Sequence, residues 1–128
     1  ELPVIEETQM GMTLGLALEG FCVVSIYPRS DFLILAMNQL VNHIDKIGWM
    51  SDGKMQPRII IRTSVGSKKP LDAGPQHTQD HTDALKLMLT TVNVVKLTDA
   101  EIIEPYYRRA YKDKDQRLWL FIENGALY

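Results

Sequence analysis

Several features that would mark a class of protein are scarce in this chain. The one cysteine, Cys22, excludes an internal disulfide, and its apolar surroundings (FCVVSIY) predict a buried, inert thiol. Lys and Arg total 14 against 16 Asp and Glu, so the formal net charge is -2 and no basic excess marks a nucleic-acid surface. No stretch approaches the roughly 18 apolar residues of a membrane span. We therefore expect neither nucleic acid nor a membrane as a partner.

Targeting signals and common catalytic motifs are also missing from the sequence. The opening segment ELPVIEETQ has no basic region, so no signal peptide is expected and a cytoplasmic location is the default. There is no P-loop, no G-x-G-x-x-G after a strand and no G-x-S-x-G elbow. His77 and His81 are four apart, but His77 lies in a Gly/Pro-rich loop, which does not favour a metal site.

The pattern that is present predicts one α/β domain over residues 1–128. Hydrophobic residues make up 45% and charged residues 23%, as is usual for a globular domain. Apolar β-branched runs and helical periodicities alternate along the chain. Strands are predicted at 3–5, 21–27, 59–61, 92–95 and 117–122, and helices at 8–19, 32–44, 80–89 and 98–112. This alternation predicts a three-layer α/β/α fold with a mainly parallel central sheet.

Glycine, proline and capping residues predict where the helices begin, end and bend. Gly20 is expected to end the first helix, and Gly48 the second. Gly11 and Gly15 lie four apart, which predicts an element packed closely against the first helix. In the last helix, the segment TDAE predicts a capping box that begins at Thr98, and Pro105 should kink or divide the helix.

Three residues follow predicted strands or lie in the long loop 63–79, where parallel sheets bind ligands. Glu6 comes directly after the first strand, Phe32 follows the second, and His77 lies in the loop. A polar loop of this length in a small domain is more often functional than idle. Taken singly, each residue also has a structural interpretation: an acid at a helix N-terminus, a core aromatic and an ordinary loop histidine.

Taken in order, several segments resemble one family. PVIEETQMGMTLGLALEG resembles the strand–Glu–helix opening of the pyrimidine-binding domain of thiamine diphosphate enzymes, in the transketolase-like superfamily. The segments FLILAMNQLVNHIDKIGWMSDGKMQPRIIIR, GPQHTQ, NVVKLTDAEIIEPYYRRAY and LWLFIENGALY are most similar to the beta subunit of the decarboxylating component of 2-oxo acid dehydrogenases, of pyruvate or branched-chain type. A transketolase or deoxyxylulose-phosphate synthase piece, and a non-catalytic assembly module that keeps the fold, remain alternatives.

The resemblance implies a role for each candidate residue. Glu6 would be the catalytic carboxylate that hydrogen-bonds the aminopyrimidine ring of thiamine diphosphate, and Phe32 would lie against that ring. Val4 would be an apolar contact near the ring. His77 would face the substrate and the lipoyl arm and transfer protons. The neighbouring Glu7 is the competing carboxylate, but the glycine spacing places Glu6 at the family position.

The resemblance also implies partners and an incomplete domain. In the family, a helix and a strand precede the glutamate, so we expect a single, N-terminally truncated domain over residues 1–128. Magnesium and the diphosphate would be held by an alpha-type subunit or domain, and a lipoyl acyltransferase would accept the acyl group. The implied activity is oxidative decarboxylation of a 2-oxo acid by a homo- or hetero-oligomer, in the cytoplasm or the mitochondrial matrix. The chain alone is expected to be inactive.

Overall fold

A computed structural model describes residues 3–69 and 71–127, and its centre is a sheet of four parallel strands. The strands are β1 (Cys22–Ile26), β2 (Arg58–Val65), β3 (Asn93–Leu97) and β4 (Leu118–Asn124), in the spatial order β1-β2-β4-β3. The α-helices are α1 (Glu6–Leu18), α2 (Ser30–Leu33), α3 (Ile47–Met50), α4 (Thr82–Met88) and α5 (Ala100–Lys112). A 3₁₀ turn (Ile34–Ala36) and a π-helix (Asn38–Ile44) lie between α2 and α3, and a second 3₁₀ turn (Gly125–Leu127) follows β4.

The connections between the strands place helices on both faces of the sheet. The chain moves in one direction across the sheet from β1 to β2 and on to β3, and then returns from β3 to β4. Right-handed crossovers that run in opposite directions must cover opposite faces. Accordingly, α1, α2, the π-helix and α4 contribute to one core, and α5 contributes to the other. The predicted three-layer α/β/α fold with a parallel sheet is confirmed.

Strand β4 feeds both cores, because successive side chains of a strand point to opposite faces. Leu120 and Ile122 belong to the core shared with α1 and α4, whereas Trp119 and Phe121 pack with α5. The ring centroids of Trp119 and Phe121 lie 5.6 Å apart in a stacked arrangement. The strand is buried on both sides, which explains why its sequence is almost continuously apolar.

The prediction of a first strand at residues 3–5 is wrong. The Ile5 N–H donates locally to the Pro3 carbonyl at 2.8 Å, and Pro3 has no N–H to offer. Val4 is 90% exposed, so no neighbouring strand covers this segment. The described sheet therefore has four strands, and Glu6 follows a short extended segment that ends at the helix N-cap rather than a paired strand.

The predicted first helix is confirmed, and it begins two residues earlier than the pattern indicated. It ends in a Schellman motif at Gly20, whose φ of 94° suits glycine. The Gly20 N–H donates to the Ala17 carbonyl, and the Phe21 N–H to the Leu16 carbonyl. The close packing predicted at Gly11 and Gly15 is wrong at Gly15. A Cβ added at Gly11 would touch the Gln39 side chain at 3.8 Å, but one at Gly15 would meet nothing within 4 Å.

The single helix predicted over residues 32–44 is instead a series of short helical segments. The backbone passes from α2 through a 3₁₀ turn into the π-helix, and α3 begins only after Asp45 and Lys46. Gly48 lies inside α3 and does not end the second helix. The Asp45 carboxylate is the reason for the break at this point. It turns towards the chain before β3 and accepts hydrogen bonds from the backbone N–H groups of Thr90, Thr91 and Val92.

The last helix has its N-cap one residue later than predicted. The Asp99 side chain, not that of Thr98, caps α5 by accepting from the Glu101 N–H at 2.9 Å. Both Thr and Asp are favoured at the N-cap, so the sequence alone did not distinguish Thr98 from Asp99. Pro105 lies inside α5, which runs without interruption from Ala100 to Lys112. The predicted division of this helix is therefore wrong.

None of the helices within residues 3–69 and 71–127 combines the length and the hydropathy that crossing a bilayer requires.

Candidate functional site

Phe32 and His77 meet at the carboxyl edge of the sheet. Phe32 lies in α2, just after β1, and His77 lies in the loop between β2 and α4. Their rings pack edge to face, with centroids 5.5 Å apart and planes at 79°. Both residues are half-buried. Two side chains that lie 45 positions apart in the chain, each a candidate site residue from the sequence, are thus in contact.

Polar contacts hold the His77 loop against the segment that follows β1. An Arg29 guanidinium N–H donates to the His77 carbonyl at 2.8 Å. The Gln79 side-chain amide donates to Asp31 at 2.9 Å. Arg29 and Asp31 both lie just before Phe32, so these two contacts hold His77 and Gln79 against the segment that carries Phe32. The sequence singled out neither contact, although both residues lie in segments that follow strands.

Glu6 reaches the same edge through Tyr27. The buried Tyr27 hydroxyl donates to the Glu6 carbonyl at 3.3 Å, and Tyr27 directly follows β1. Burial and the negative charge of Glu6 raise the pKa of Tyr27, a hydrogen bond with Ser25 opposes them, and the net result is a pKa raised to about 12. The Glu6 carboxylate itself has no hydrogen-bond or ion-pair partner within residues 3–69 and 71–127.

The two adjacent carboxylates differ in what they contact. The Glu7 side chain accepts from the Asn38 amide at 3.0 Å and so ties α1 to the π-helix. Glu6 is half-buried on the side of Tyr27, and its carboxylate is left free. A free carboxylate near the strand ends is available for a ligand, whereas the Glu7 carboxylate already has a structural contact.

The four candidate residues are therefore not all brought into contact. Phe32 and His77 touch, and Glu6 is linked to the edge by Tyr27. Val4 stands exposed just before α1. Tyr27 is a residue that the sequence analysis missed as a possible neighbour of the site. Its signal was present, because it is the last residue of the apolar run before Pro28.

A second polar group lies at the carboxyl ends of β2 and β4, on the face covered by α5. The Glu123 carboxylate is 2% exposed and forms an ion pair with Arg62 at 2.7 Å. It also accepts from the Tyr107 hydroxyl at 2.7 Å. Burial raises the pKa of Tyr107, and the nearby Glu123 charge raises it further. The hydrogen bond that Arg62 donates to Glu123 raises the pKa of Arg62, although burial opposes this. This group fixes the two central strand ends.

Asp80 anchors the other end of the long loop. Its carboxylate accepts from the Thr82 N–H at 3.0 Å and from the Lys96 ammonium. Burial raises the pKa of Asp80, but the hydrogen bonds from Lys96 and Thr82 outweigh it and lower the pKa to about 2. The ionised carboxylate, three residues after His77, thereby holds the start of α4 against β3.

Among the described residues, no group of three or more His, Cys, Asp or Glu side chains is arranged to hold a metal ion. The groups present at the edge are a free carboxylate, an imidazole and a half-buried aromatic ring. This set fits an aromatic heterocycle with a hydrogen-bonding nitrogen, because the ring offers an apolar face and the carboxylate offers an acceptor.

Fold and site together define an α/β domain with a parallel sheet and a polar ligand edge. Comparisons with known proteins find relatives to which part or all of the chain is similar. The chain is 33% identical over 79 residues to the pyruvate dehydrogenase E1 component subunit beta of Gracilaria tenuistipitata var. liui. It is 26% identical over 128 residues, its full length, to the mitochondrial subunit beta of Ascaris suum, and 32% identical over 79 residues to the chloroplastic subunit beta-4 of Oryza sativa subsp. japonica. No family model matches the chain.

The matches involve only part of each relative's length. They cover 62% of this chain in the Gracilaria and Oryza proteins and 100% in the Ascaris protein. The chain in turn spans only 24%, 19% and 34% of the lengths of those three relatives. The resemblance stated from the sequence is confirmed at this level: the chain is similar to a part of the beta subunits of the pyruvate dehydrogenase E1 component.

Proposed function

We propose that this chain is the pyrimidine-binding part of a thiamine diphosphate-dependent 2-oxo acid dehydrogenase. The supporting observation is the arrangement at the carboxyl edge of the sheet, where the Phe32–His77 ring pair and the free Glu6 carboxylate lie on neighbouring elements. The similarity to beta subunits supports the same conclusion. Thiamine diphosphate, when bound, supplies the stabilised carbanion that decarboxylation needs.

Each candidate residue has a distinct task in this proposal. The Glu6 carboxylate accepts a hydrogen bond from the aminopyrimidine and shares a proton with it. Phe32 provides an apolar ring face, and the exposed Val4 side chain adds an apolar contact once the partner covers it. His77 holds or releases a proton beside the substrate, since an imidazole changes protonation near neutral pH. Its backbone is held by Arg29, which keeps the ring in place.

The proposal requires a partner. An alpha-type subunit or domain would hold magnesium and the diphosphate, a role that the similarity to beta subunits suggests for a partner. A lipoyl acyltransferase would then accept the acyl group in the full complex. Activity at this interface depends on both chains, and the substrate is pyruvate or a branched 2-oxo acid.

Reconstitution tests the proposal. The chain is mixed with an alpha-type subunit from the same organism, thiamine diphosphate and magnesium, and carbon dioxide release is measured with ferricyanide as the electron acceptor. We expect release from pyruvate or 2-oxoisovalerate only when both proteins are present. Matched reactions omit one protein at a time. Turnover of sugar phosphates but not of 2-oxo acids, or full activity of the alpha-type subunit alone, would contradict the proposal.

A further inference from the structure

The start of α1 lacks the contacts that usually hold the first turn of a helix. Its N-cap residue, Ile5, makes no side-chain capping hydrogen bond. The first N–H groups of a helix have no partner within the helix, and an end without a cap opens more readily than the middle. Residues 3–5 belong to none of the described strands, and Val4 is exposed to solvent. The position of Glu6, the first residue of α1, therefore depends on contacts from other elements.

Tyr27 makes such a contact. Its hydroxyl donates to the Glu6 carbonyl at 3.3 Å, and within residues 3–69 and 71–127 it is the one side-chain group that hydrogen-bonds to Glu6. A carbonyl oxygen has two lone pairs, so it can accept from this hydroxyl and from the helix N–H four residues later. The pKa of Tyr27 is raised to about 12, mainly by burial, so its hydroxyl keeps its proton and stays a donor at neutral pH.

Tyr27 is itself held firmly by the fold. Its side chain is buried and belongs to the core shared with α1. Its N–H donates to the Arg62 carbonyl of β2 at 2.8 Å, which continues the pairing of β1 with β2 by one residue. Close packing keeps a buried ring in one orientation. The hydroxyl is therefore a fixed point on the sheet to which the uncapped end of α1 is tied.

We propose that Tyr27 is a positioning residue, whose hydroxyl holds the Glu6 backbone so that the free Glu6 carboxylate meets a bound ligand in one orientation. This role rests on the proposed function, in which that carboxylate shares a proton with the aminopyrimidine. Tyr27 acts through Glu6 and transfers no proton. A displacement of a reacting group by about 1 Å can cost about a hundredfold in rate, so the loss of the hydroxyl should have a measurable effect.

Tyr27→Phe tests this role in the enzyme reconstituted with an alpha-type subunit, thiamine diphosphate and magnesium, because the change removes only the hydroxyl. We expect kcat for 2-oxo acid decarboxylation to fall by about tenfold and KM to stay within about twofold. Tyr107→Phe is the matched control, since it removes a hydroxyl that donates to Glu123 at 2.7 Å on the face covered by α5. The control should keep kcat within about twofold. Equal losses in both variants would show a general effect on the fold and overturn the proposal.

A double-mutant cycle shows whether Tyr27 acts through Glu6. Two residues that act as one unit have effects that do not add. Tyr27→Phe should therefore change kcat by no more than about twofold when it is made in the Glu6→Gln enzyme. A loss of about tenfold in both backgrounds would contradict the proposal, because Tyr27 would then act independently of the Glu6 carboxylate.

Hydrogen–deuterium exchange of the chain alone gives a readout that does not depend on turnover. Tyr27→Phe should speed exchange of the backbone amides of residues 9–12 by about threefold to tenfold, the value of one hydrogen bond, and leave residues 15–18 unchanged. NMR spectroscopy resolves these amides one by one. Unchanged exchange at residues 9–12 would show that Tyr27 does not hold the first turn of α1, and would overturn the proposal.

The kinetic outcomes separate the role of Tyr27 from the proposed function. Absence of turnover in the unaltered reconstituted enzyme would overturn both. Turnover in the unaltered enzyme together with an unchanged kcat in Tyr27→Phe would overturn the role of Tyr27 alone and leave the role of Glu6 standing.

Discussion

At the scale of single residues, Asp45 shows how one buried carboxylate can organise a distant loop. Its side chain accepts from three successive backbone N–H groups, from Thr90 to Val92, and from the hydroxyls of Thr90 and Thr91. Lys46 forms an ion pair with it. Burial alone would raise the pKa of Asp45, but these hydrogen bonds more than offset burial and hold its pKa well below the usual range.

The depressed pKa of Asp45 gives a prediction for stability and pH. A carboxyl with a lowered pKa in the folded state stabilises the fold above its unfolded pKa of about 3.9, and this contribution is lost as the pH falls towards the folded value. Asp45→Asn should lower the free energy of unfolding at pH 7 by about 3 kcal/mol, because a buried charged acceptor is removed from its donors. Urea unfolding followed by tryptophan fluorescence measures this.

Asp45→Asn should also change the pH dependence of the free energy of unfolding. Between about pH 5 and pH 2, the unaltered chain should lose more stability than Asp45→Asn does. Asp52→Asn is the control, since Asp52 is exposed in a turn with a φ of 51° that Asn also tolerates. We expect the control to stay within about 0.5 kcal/mol of the unaltered chain at pH 7. Equal stability of Asp45→Asn and Asp52→Asn would refute the role assigned to Asp45.

His77 provides a second test at the residue scale, in the reconstituted enzyme. His77→Asn should lower kcat by about a hundredfold or more if the imidazole transfers a proton. His43→Asn is the matched control, since His43 lies in the π-helix and is not part of the Phe32–His77 ring pair. Steady-state kinetics with the preferred 2-oxo acid measures both. Unchanged kcat for His77→Asn would limit His77 to packing against Phe32.

At the scale of elements, the sequence predicted most helices and strands correctly. Its errors lie where contacts between distant segments determine the local structure. Helical periodicity identified α1 and α5, and runs of apolar β-branched residues identified the four paired strands. The sequence missed the breaks between α2 and α3. One of these lies at Asp45, whose carboxylate accepts from Thr90, 45 positions away, and periodicity does not indicate such a contact. It also added a strand at 3–5, where local apolar character is present but no neighbouring strand pairs with it.

Replacing Gly15 or Gly20 of the first helix segment by alanine should change the stability of the fold in opposite directions. Gly20→Ala should destabilise the fold by about 1 kcal/mol, because its φ of 94° strains any residue with a Cβ. Gly15→Ala should stabilise it by about 0.5–1 kcal/mol, since an added Cβ meets nothing and alanine favours the helix. Thermal unfolding of the two variants beside the unaltered chain measures the difference.

These glycine variants also test the packing of α1. A stabilising Gly20→Ala would show that α1 does not end in the left-handed turn described here. A destabilising Gly15→Ala in the isolated chain would show that another element covers Gly15, as the sequence had predicted. In the complex with an alpha-type subunit, loss of assembly by Gly15→Ala would place the partner on this face of α1.

At the scale of the whole molecule, the sequence predicted the layered architecture. It also singled out Phe32 and His77 as candidate residues, without predicting that their rings touch. Alternating strands and helices, with one apolar strand buried on both faces, are enough to define a three-layer fold. The order of the strands brings the residues after β1 and β2 to one edge, which is why Phe32 and His77 meet. The contacts of Arg29 and Tyr27 could not be predicted, because they depend on loop conformation rather than on pattern.

The central claim is that the free Glu6 carboxylate serves the cofactor whereas Glu7 serves the fold. The most direct test compares Glu6→Gln with Glu7→Gln in the enzyme reconstituted with an alpha-type subunit, thiamine diphosphate and magnesium. Both changes remove one negative charge at the start of the same helix. We measure kcat for 2-oxo acid decarboxylation together with the thermal midpoint of each variant.

We expect Glu6→Gln to lose about a hundredfold or more in kcat with an unchanged thermal midpoint, because only the proton-sharing carboxylate is removed. Glu7→Gln should keep kcat within about threefold, since glutamine can still accept the hydrogen bond from Asn38. Full activity of Glu6→Gln, or equal losses in the two variants, would contradict the account.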